Sequence, residues 1–324
     1  MYSPLRRRHL GALALLALAP WARASEPAYP SRPITLVVPY PAGGNGDNIA
    51  RVFARKLSAL WNTPVVVDNK PGASGTIGAA SVHRAAPDGH TLLLTVTTQL
   101  TSSVPNVKPV YDPATDFVPI AGLTIAPMAF VVSPALGVSS MQELEALAQK
   151  RPLAYGSYGT ATSTHVVQHL LGKQFKAVDM VHVPYRGESP MVADLLGGQV
   201  DMGLVGIGQG REMARSGRLR ILAVLGTQRS EFLPEVKTLT EHGYRQMDWA
   251  YGVALYGPAR LPAPVLARLQ EAGKTIMADA ETQQLYRSQS NQPWLGATPA
   301  QLRERQLADI RNWNKVLAEV GPLE

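Results

Sequence analysis

Apolar residues along the chain fall into two alternating rhythms. Short continuous runs bounded by Gly and Pro read as buried strands, and runs spaced at three and four residues read as helices packed on one face. "ITLVVPY" (34–40) is the first strand, followed by a helix from 48 to 60 with Ile49, Val52, Phe53, Leu57 and Leu60 on its apolar side. "PVVVDN" (64–69) leads through the Gly-rich "KPGASGTIGAA" to a second helix reaching 85. "PDG" then turns the chain into the strand "HTLLLTV". This βαβαβ order predicts a parallel sheet with right-handed crossovers.

The alternation restarts after Phe117. "VPIAGLTIAPMAFVVSP" is extended, "SMQELEALAQK" helical, "LAYGSYG" a strand and turn, and "STHVVQHLLGKQF" helical. "MVHVPYRG" is a strand and turn, "SPMVADLLGGQ" a helix, and "VDMGLVG" and "LRILAVLG" are strands. An extended stretch, "DWAYGVALYGPARLPAP", leads into three helical stretches at 264–279, 280–290 and 299–319. With no sheet of their own, these helices are expected to pack on the first half. The pattern predicts an α/β protein with a discontinuous domain 1 (25–126 plus 250–324) and a domain 2 inserted between its parts (127–249). Two connections between lobes make a hinge, and a cleft between domains is a preferred ligand site.

Residues 1–24 read separately. Arg6, Arg7 and Arg8 precede an apolar run from Leu10 to Ala19 and an A-x-A site at Ala22-Arg23-Ala24, the arrangement of a cleavable secretory signal peptide. The run is about half of the roughly 20 residues that a membrane span requires. The three arginines fit either the general or the twin-arginine export route. Without the leader, the chain's 31 basic residues fall to 27 against 24 acidic, a net charge of +3 instead of +7. No run of Lys and Arg longer than two residues remains, which argues against nucleic-acid binding. The absence of cysteine excludes disulfides, thiolate metal sites and Cys nucleophiles, so an exported fold must rest on its core. At 45% hydrophobic residues the chain can supply one.

Chemical motifs are incomplete wherever they begin. Gly44 and Gly46 start a dinucleotide fingerprint, and Asp68 imitates its acidic ribose ligand, but the third glycine would fall at Ile49. The phosphate-loop G-K-[ST] is absent. "GASGT" (72–76) and "GSYGT" (156–160) lack the spacing of a nucleophile elbow, so their serines read as caps and turn formers. His165 and His169 share a helix face, yet Val166 stands where a zinc-protease glutamate would be, and no third ligand is indicated. No catalytic residue, metal or cofactor is expected.

What remains is a set of polar turns at the C-terminal ends of strands, where open α/β sheets bind ligands. These are "YPAGGNGD" (40–47), "TVTTQ" (95–99), "GSYGTATST" (156–164) and "PYRGESP" (184–190). Asp47, Ser163 and Thr164 are candidate helix-start residues. Two helix N-termini facing one cleft from opposite lobes would suit a carboxylate.

At these residues the chain resembles the Bug-type, TctC-like substrate-binding proteins, the extracytoplasmic receptors of tripartite tricarboxylate transporters. The matching stretches are "YPSRPITLVVPYPAGGNGDNIAR", "VVVDNKPGASGTIGAASVHRAAPDGHTLLL", "DFVPIAGL", "STH", "VHVPYRGESPMVADLLGGQVDM" and "YGPARLPAPVLARL", in the family's order and across essentially the whole mature chain. The resemblance implies a periplasmic, Venus-flytrap protein of the type II periplasmic binding fold that closes over a small carboxylate and hands it to membrane permease subunits, a shuttling role that a monomer suits. It implies domain 1 contacts from Tyr40, Pro41, Ala42, Gly43, Asn45, Asp47, Thr97 and Thr98, and domain 2 contacts from Ser157, Gly159, Thr160, Ser163, Tyr185, Arg186 and Gly187, largely through main-chain groups and bridging waters. Tyr158 is bulkier than the family's usual residue, and "LVGIGQG" after Asp201 lacks its polar or aromatic residues, so both bear on ligand identity. A dicarboxylate, a tricarboxylate, an acidic amino acid and an aromatic acid all remain open. Arg186→Ala and Asp47→Ala are expected to weaken binding and leave the fold intact. A ligand sensor signalling to a membrane kinase uses the same fold and pocket. A periplasmic enzyme would need a nucleophile or acid/base pair that the chain does not display.

Overall fold

The computed structural model describes residues 29–100, 110–125, 127–245 and 252–320. The leader expected at 1–24 lies outside them, as do residues 126 and 246–251, where the two domain boundaries are expected. Among the described residues the strands sort into two sheets. The first holds β1 (Ile34–Val38), β2 (Val65–Asn69), β3 (Thr91–Val96), β4 (Phe117–Ile125), β10 (Gly252–Pro258) and β11 (Gln292–Pro293), in the spatial order β11-β4-β10-β3-β1-β2. The second holds β5 (Met128–Val132), β6 (Leu153–Ser157), β7 (Met180–Pro184), β8 (Met202–Gly206) and β9 (Arg220–Val224), in the order β7-β6-β8-β5-β9. Each sheet, with its helices, is one lobe of a two-lobed α/β protein.

Each sheet has a parallel half built from local βαβ units: β1 with β2 and β3, and β6 with β7 and β8. The other half is antiparallel, with β10 against β3 and β4, and β5 against β8 and β9. The strand β10 arrives from the second lobe, not through a local crossover helix, so nothing holds it to the parallel sense.

The helices are α1 (Asn45–Trp61), α2 (Thr76–His83), α3 (Thr97–Leu100), α4 (Met141–Ala148), α5 (Ser163–Phe175), α6 (Glu188–Leu196), α7 (Ile207–Arg215), α8 (Ala263–Ala278), α9 (Ala280–Ser288) and α10 (Pro299–Val320). Strand alternation decides which of them each side chain meets. Ile34, Leu36 and Val38 share a cluster with Ile49, Phe53 and Leu57 of α1 and with Leu269 and Ile276 of α8. Val37 belongs to the opposite face, with Ala79, Ala80 and Val82 of α2. In the second lobe Phe130 and Val132 join residues of α4 and α5, and Ala129 and Val131 join Met191, Val192 and Leu195 of α6. Full burial of each large apolar side chain contributes about 1.5–3 kcal/mol.

Three features differ from the pattern-based expectation. Leu60 of the α1 face is 45% exposed, because the packed stripe ends at Leu57. The helix α7 is additional, between the strands expected at 200–206 and 219–226. And α10 does not pack on the first lobe alone. Its N-terminal half bonds there, from Arg303 to the Phe117 carbonyl (3.3 Å) and from Gln306 to the Pro113 carbonyl (2.6 Å). Its C-terminal half places Trp313 and Val320 in the second lobe's core, where Lys173 donates to the Val320 carbonyl at 3.1 Å. A helix of 22 residues is about 33 Å long, enough to span both lobes. No helix among the described residues is long and apolar enough to cross a membrane.

Candidate functional site

The turn after β1 is held from several sides. Tyr40 is buried, and its hydroxyl lies 3.0 Å from Thr95 Oγ1 and accepts from the Val96 N–H at 2.9 Å, which ties the turn to the end of β3. Burial pushes this phenol up to about 12. The Asn69 amide donates to the Tyr40 carbonyl and to Asp47 Oδ1, both at 3.0 Å. Asp47 Oδ2 accepts from the Gly43 N–H (2.9 Å) and Arg51 Nε (2.8 Å). Gly44 precedes helix α1 as its cap residue and has no side chain to bond the first N–H groups, so these are left for acceptors from elsewhere, Glu188 among them.

The facing turn, after β6, is built on hydroxyls and histidines. Thr162, not Ser163 or Thr164, caps α5, and it accepts weakly from the His165 N–H at 3.4 Å. Its hydroxyl donates to the Gly159 carbonyl (2.7 Å), and Thr164 Oγ1 accepts from the Tyr158 N–H (3.0 Å). His165 Nδ1 accepts from the N–H of Ala161, a residue at φ +58°. His165 also stacks on His182, with ring centroids 3.5 Å apart, and His182 Nε2 lies 2.6 Å from Ser157 Oγ.

Burial, then the neighbouring His182 and His169, push the His165 imidazole down to about 3. The unfolded chain takes up that proton near pH 6.5, so the native state loses stability as pH falls from there toward 3. The loss is at most about 1.4 kcal/mol per pH unit. Urea melts at pH 7, 6 and 5 should show this fall in the parent protein and a shallower one in His165→Gln, whose amide oxygen can still accept from Ala161. Equal slopes would rule His165 out as the cause.

A cavity of about 70 Å³ lies between the two turns. The first lobe lines it with Tyr40, Pro41, Gly44, Asn45, Gly46, Val96 and Val253, and the second with Met128, Tyr158, Thr162, Ser163, Thr164, Glu188 and Gly206. The starts of α1 and α5 therefore meet in one space from opposite lobes. Glu188 bridges the lobes beside it. Its Oε2 accepts from the Asn45 N–H at 3.0 Å, and its Oε1 from the Gly206 N–H at 2.6 Å. Burial pushes this carboxyl up, and the two N–H donors and the Tyr158 side chain offset the push in part. Further contacts join the lobes from Ser74 Oγ to the Thr160 carbonyl (2.8 Å), from Arg211 to Ser290 Oγ (2.9 Å) and between Arg287 and Glu231 (2.7 Å).

Of the residues expected at the site, Tyr40, Pro41, Asn45 and Ser163 line the cavity. The others stand behind it or at its edge. Asp47 spends both oxygens on its own lobe. Ala42 and Gly43 are exposed, with the Ala42 carbonyl 3.4 Å from Ser189 Oγ. Thr97 and Thr98 open α3, and Thr97 is buried. Ser157, Gly159 and Thr160 shape the second-lobe turn. Tyr185 donates to Asp194 at 2.7 Å, Gly187 packs against Pro41, and Arg186 is exposed outside the cavity. Sequence reasoning did not name as contacts Gly44, Gly46, Val96, Tyr158, Thr162, Thr164 and Glu188, which stand in the quoted loops, or Met128, Gly206 and Val253, which stand outside them. Glu188 stood within a quoted loop, but nothing local marks it as buried.

Residues 49–321 match the family described as TctC, the tripartite tricarboxylate transporter family receptor. Protein BugT of Bordetella pertussis is 33% identical over 310 residues, covering 93% of each chain. Among solved structures, the periplasmic binding protein BugD superposes with a TM-score of 0.84 at 29% identity, over 90% of this chain and 99% of that one. Rpa4515 of R. palustris, solved with adipate, gives 0.84 at 28%, over 90% and 98%.

Proposed function

This chain belongs to the tripartite tricarboxylate transporter receptor family, and on that basis we propose that it is a periplasmic receptor that closes its lobes on a small organic acid and delivers it to a membrane permease of that transporter class. The observation that carries the reading is the meeting of the α1 and α5 N-termini in one interlobe cavity. Helix N-termini supply N–H donors and a positive field, so a carboxylate held there binds both lobes at once. About four such bonds, at roughly 1.5–3 kcal/mol each, give roughly 6–12 kcal/mol before ordering and association costs are met. Micromolar affinity needs about 8 kcal/mol. The acid favours closure to the extent that it touches both lobes. The recognition needs no catalytic residue and no cofactor, and the closed surface is what the permease would engage. The solved relative that holds adipate, a dicarboxylate, supports an organic acid as the class of ligand.

The test is a thermal-shift screen of residues 25–324, unfolded and refolded to remove carried-over ligand, against carboxylates, amino acids, sugars and nucleotides. A ligand at about 100 times its Kd should stabilise the fold by roughly 2.7 kcal/mol. Shifts confined to compounds bearing a carboxylate would support the reading. A shift with nucleotides and none with acids would overturn it.

A further inference from the structure

The cleft contains a carboxylate of its own. Glu188 is 7% exposed, and its partners are all neutral: two N–H groups, one at the start of α1 and one at the start of α7, from opposite lobes, and the Tyr158 side chain. Buried carboxylates are ordinarily paired with a cation. Among the described residues that line the cavity there is no lysine, arginine or histidine. Arg186, two residues before Glu188 on the same turn, is exposed outside the cavity, and Arg51 on α1 is engaged by Asp47. An ionised carboxylate offers about four acceptor positions; the two N–H groups take one from each oxygen and the Tyr158 side chain takes a third, which leaves room for a ligand donor.

The rest of the cavity is divided in character. Thr162, Ser163 and Thr164 put the start of α5 on one part of its wall, and Val96, Met128 and Val253 supply an apolar part. The N–H donors at the start of α7 and the first of α1 are already occupied by Glu188. A dicarboxylate would therefore bring a second negative charge to a wall that already holds one and whose Asn45 and Gly206 N–H groups are already taken. Like charges at such distances in a buried site cannot both stay ionised without a large penalty.

We propose that Glu188 is the specificity-determining residue of the cleft and supplies the counter-charge for a ligand ammonium, so that this receptor takes a zwitterionic amino acid with a small apolar side chain, carboxylate on α5 and ammonium on Glu188, in preference to a dicarboxylate. The inference rests on the organic-acid reading above and narrows it. Glu188 touches both lobes, so an ammonium against it rewards the closed state as the carboxylate does. Ligand discrimination arises from the charge balance of the wall, not from side-chain shape. A site whose buried polar group is left without its partner rejects the lacking analogue strongly.

Isothermal titration with three matched series tests this: unbranched amino acids, monocarboxylates and dicarboxylates of three to six carbons, against the parent protein and Glu188→Gln. Gln keeps the shape and removes the charge, and a melting curve for each protein confirms that it is folded. In the parent protein, the best amino acid should bind at least tenfold more tightly than the monocarboxylate and the dicarboxylate of equal carbon count. In Glu188→Gln that preference should fall at least tenfold, and the dicarboxylate should gain. Glu188→Ser, which also frees the Asn45 and Gly206 N–H groups, should gain more for the dicarboxylate. A parent protein that prefers the dicarboxylate, or a preference that Glu188→Gln leaves unchanged, overturns the assignment while leaving the organic-acid reading in place. No heat with any acid in any of the three proteins would overturn both.

Discussion

Gly208→Ala should weaken ligand binding by roughly ten- to a hundredfold while leaving the ligand-free protein as stable as the parent, or slightly more so. Gly208 is the second residue of α7, in the second lobe, and its backbone needs no left-handed conformation. A Cβ there would sit 2.5 Å from the Gln289 carbonyl oxygen and 3.3 Å from its carbonyl carbon, at the end of α9 in the first lobe. Both obstacles are backbone atoms, which cannot swing aside. Within its own lobe the same change replaces a poor helix former by the best one, a gain of up to about 1 kcal/mol. The open state gains and the closed state clashes. Overpacking of this kind costs typically about 1–3 kcal/mol, and the cost falls on the state that binds. Calorimetric melting of the ligand-free protein and titration with the acid found by thermal shift separate the two effects. Unchanged affinity in a protein that melts normally would mean that binding does not require the lobes to meet at Gly208.

The same seam explains why some of the site was hidden in the sequence. The segment "IGQGREMAR" reads poorly as a helix because it holds two glycines, each costing about 1 kcal/mol relative to alanine. Both have packing reasons that lie elsewhere in the chain. A Cβ at Gly210 would press at 3.2 Å on Ala129 and on Val205, and one at Gly208 would strike the other lobe. Tertiary contact erased the local signal. Glu188 is the mirror case, a charged residue in a Pro-flanked loop that composition alone would leave in water. Its burial is dictated by Asn45, 143 positions earlier, and by the N–H of Gly206. By contrast, the βαβ runs and the polar strand ends were legible, since the period of two and the Gly-Pro punctuation are local consequences of strands entering tight turns. The sense of β10 was not, because direction in a sheet is set by where a strand comes from.

Asp47→Ala should destabilise the protein by about 3 kcal/mol, in contrast to Arg186→Ala, which should change stability by no more than about 0.5 kcal/mol. The sequence places both residues on ligand-facing loops, and the structure gives them different work. Asp47 is 2% exposed and accepts three hydrogen bonds, from the Gly43 N–H, Arg51 Nε and the Asn69 amide. Arg51 is half-exposed and can return to water when its partner is lost, but the Gly43 N–H and the Asn69 amide lose their acceptor in a packed turn. Hydrogen bonds to a charged group contribute about 1.5–3 kcal/mol each, so losing the two gives the stated magnitude. Arg186 lies exposed outside the cavity, where substitutions usually stay within about 0.5 kcal/mol. The acid side adds a signature. Burial alone would raise the Asp47 carboxyl, yet the bonds from Arg51, Gly43 and Asn69 outweigh it and hold the group below the usual carboxylate range. A carboxyl held low contributes stability that is present above its unfolded value, near 3.8, and is lost as pH falls through the folded one. The gap between parent and Asp47→Ala should therefore be full at pH 7 and close below pH 4, as urea denaturation at both pH values would measure. A gap that stayed constant with pH would show that the cost comes from lost packing and not from the charged network that holds the turn beneath the cavity.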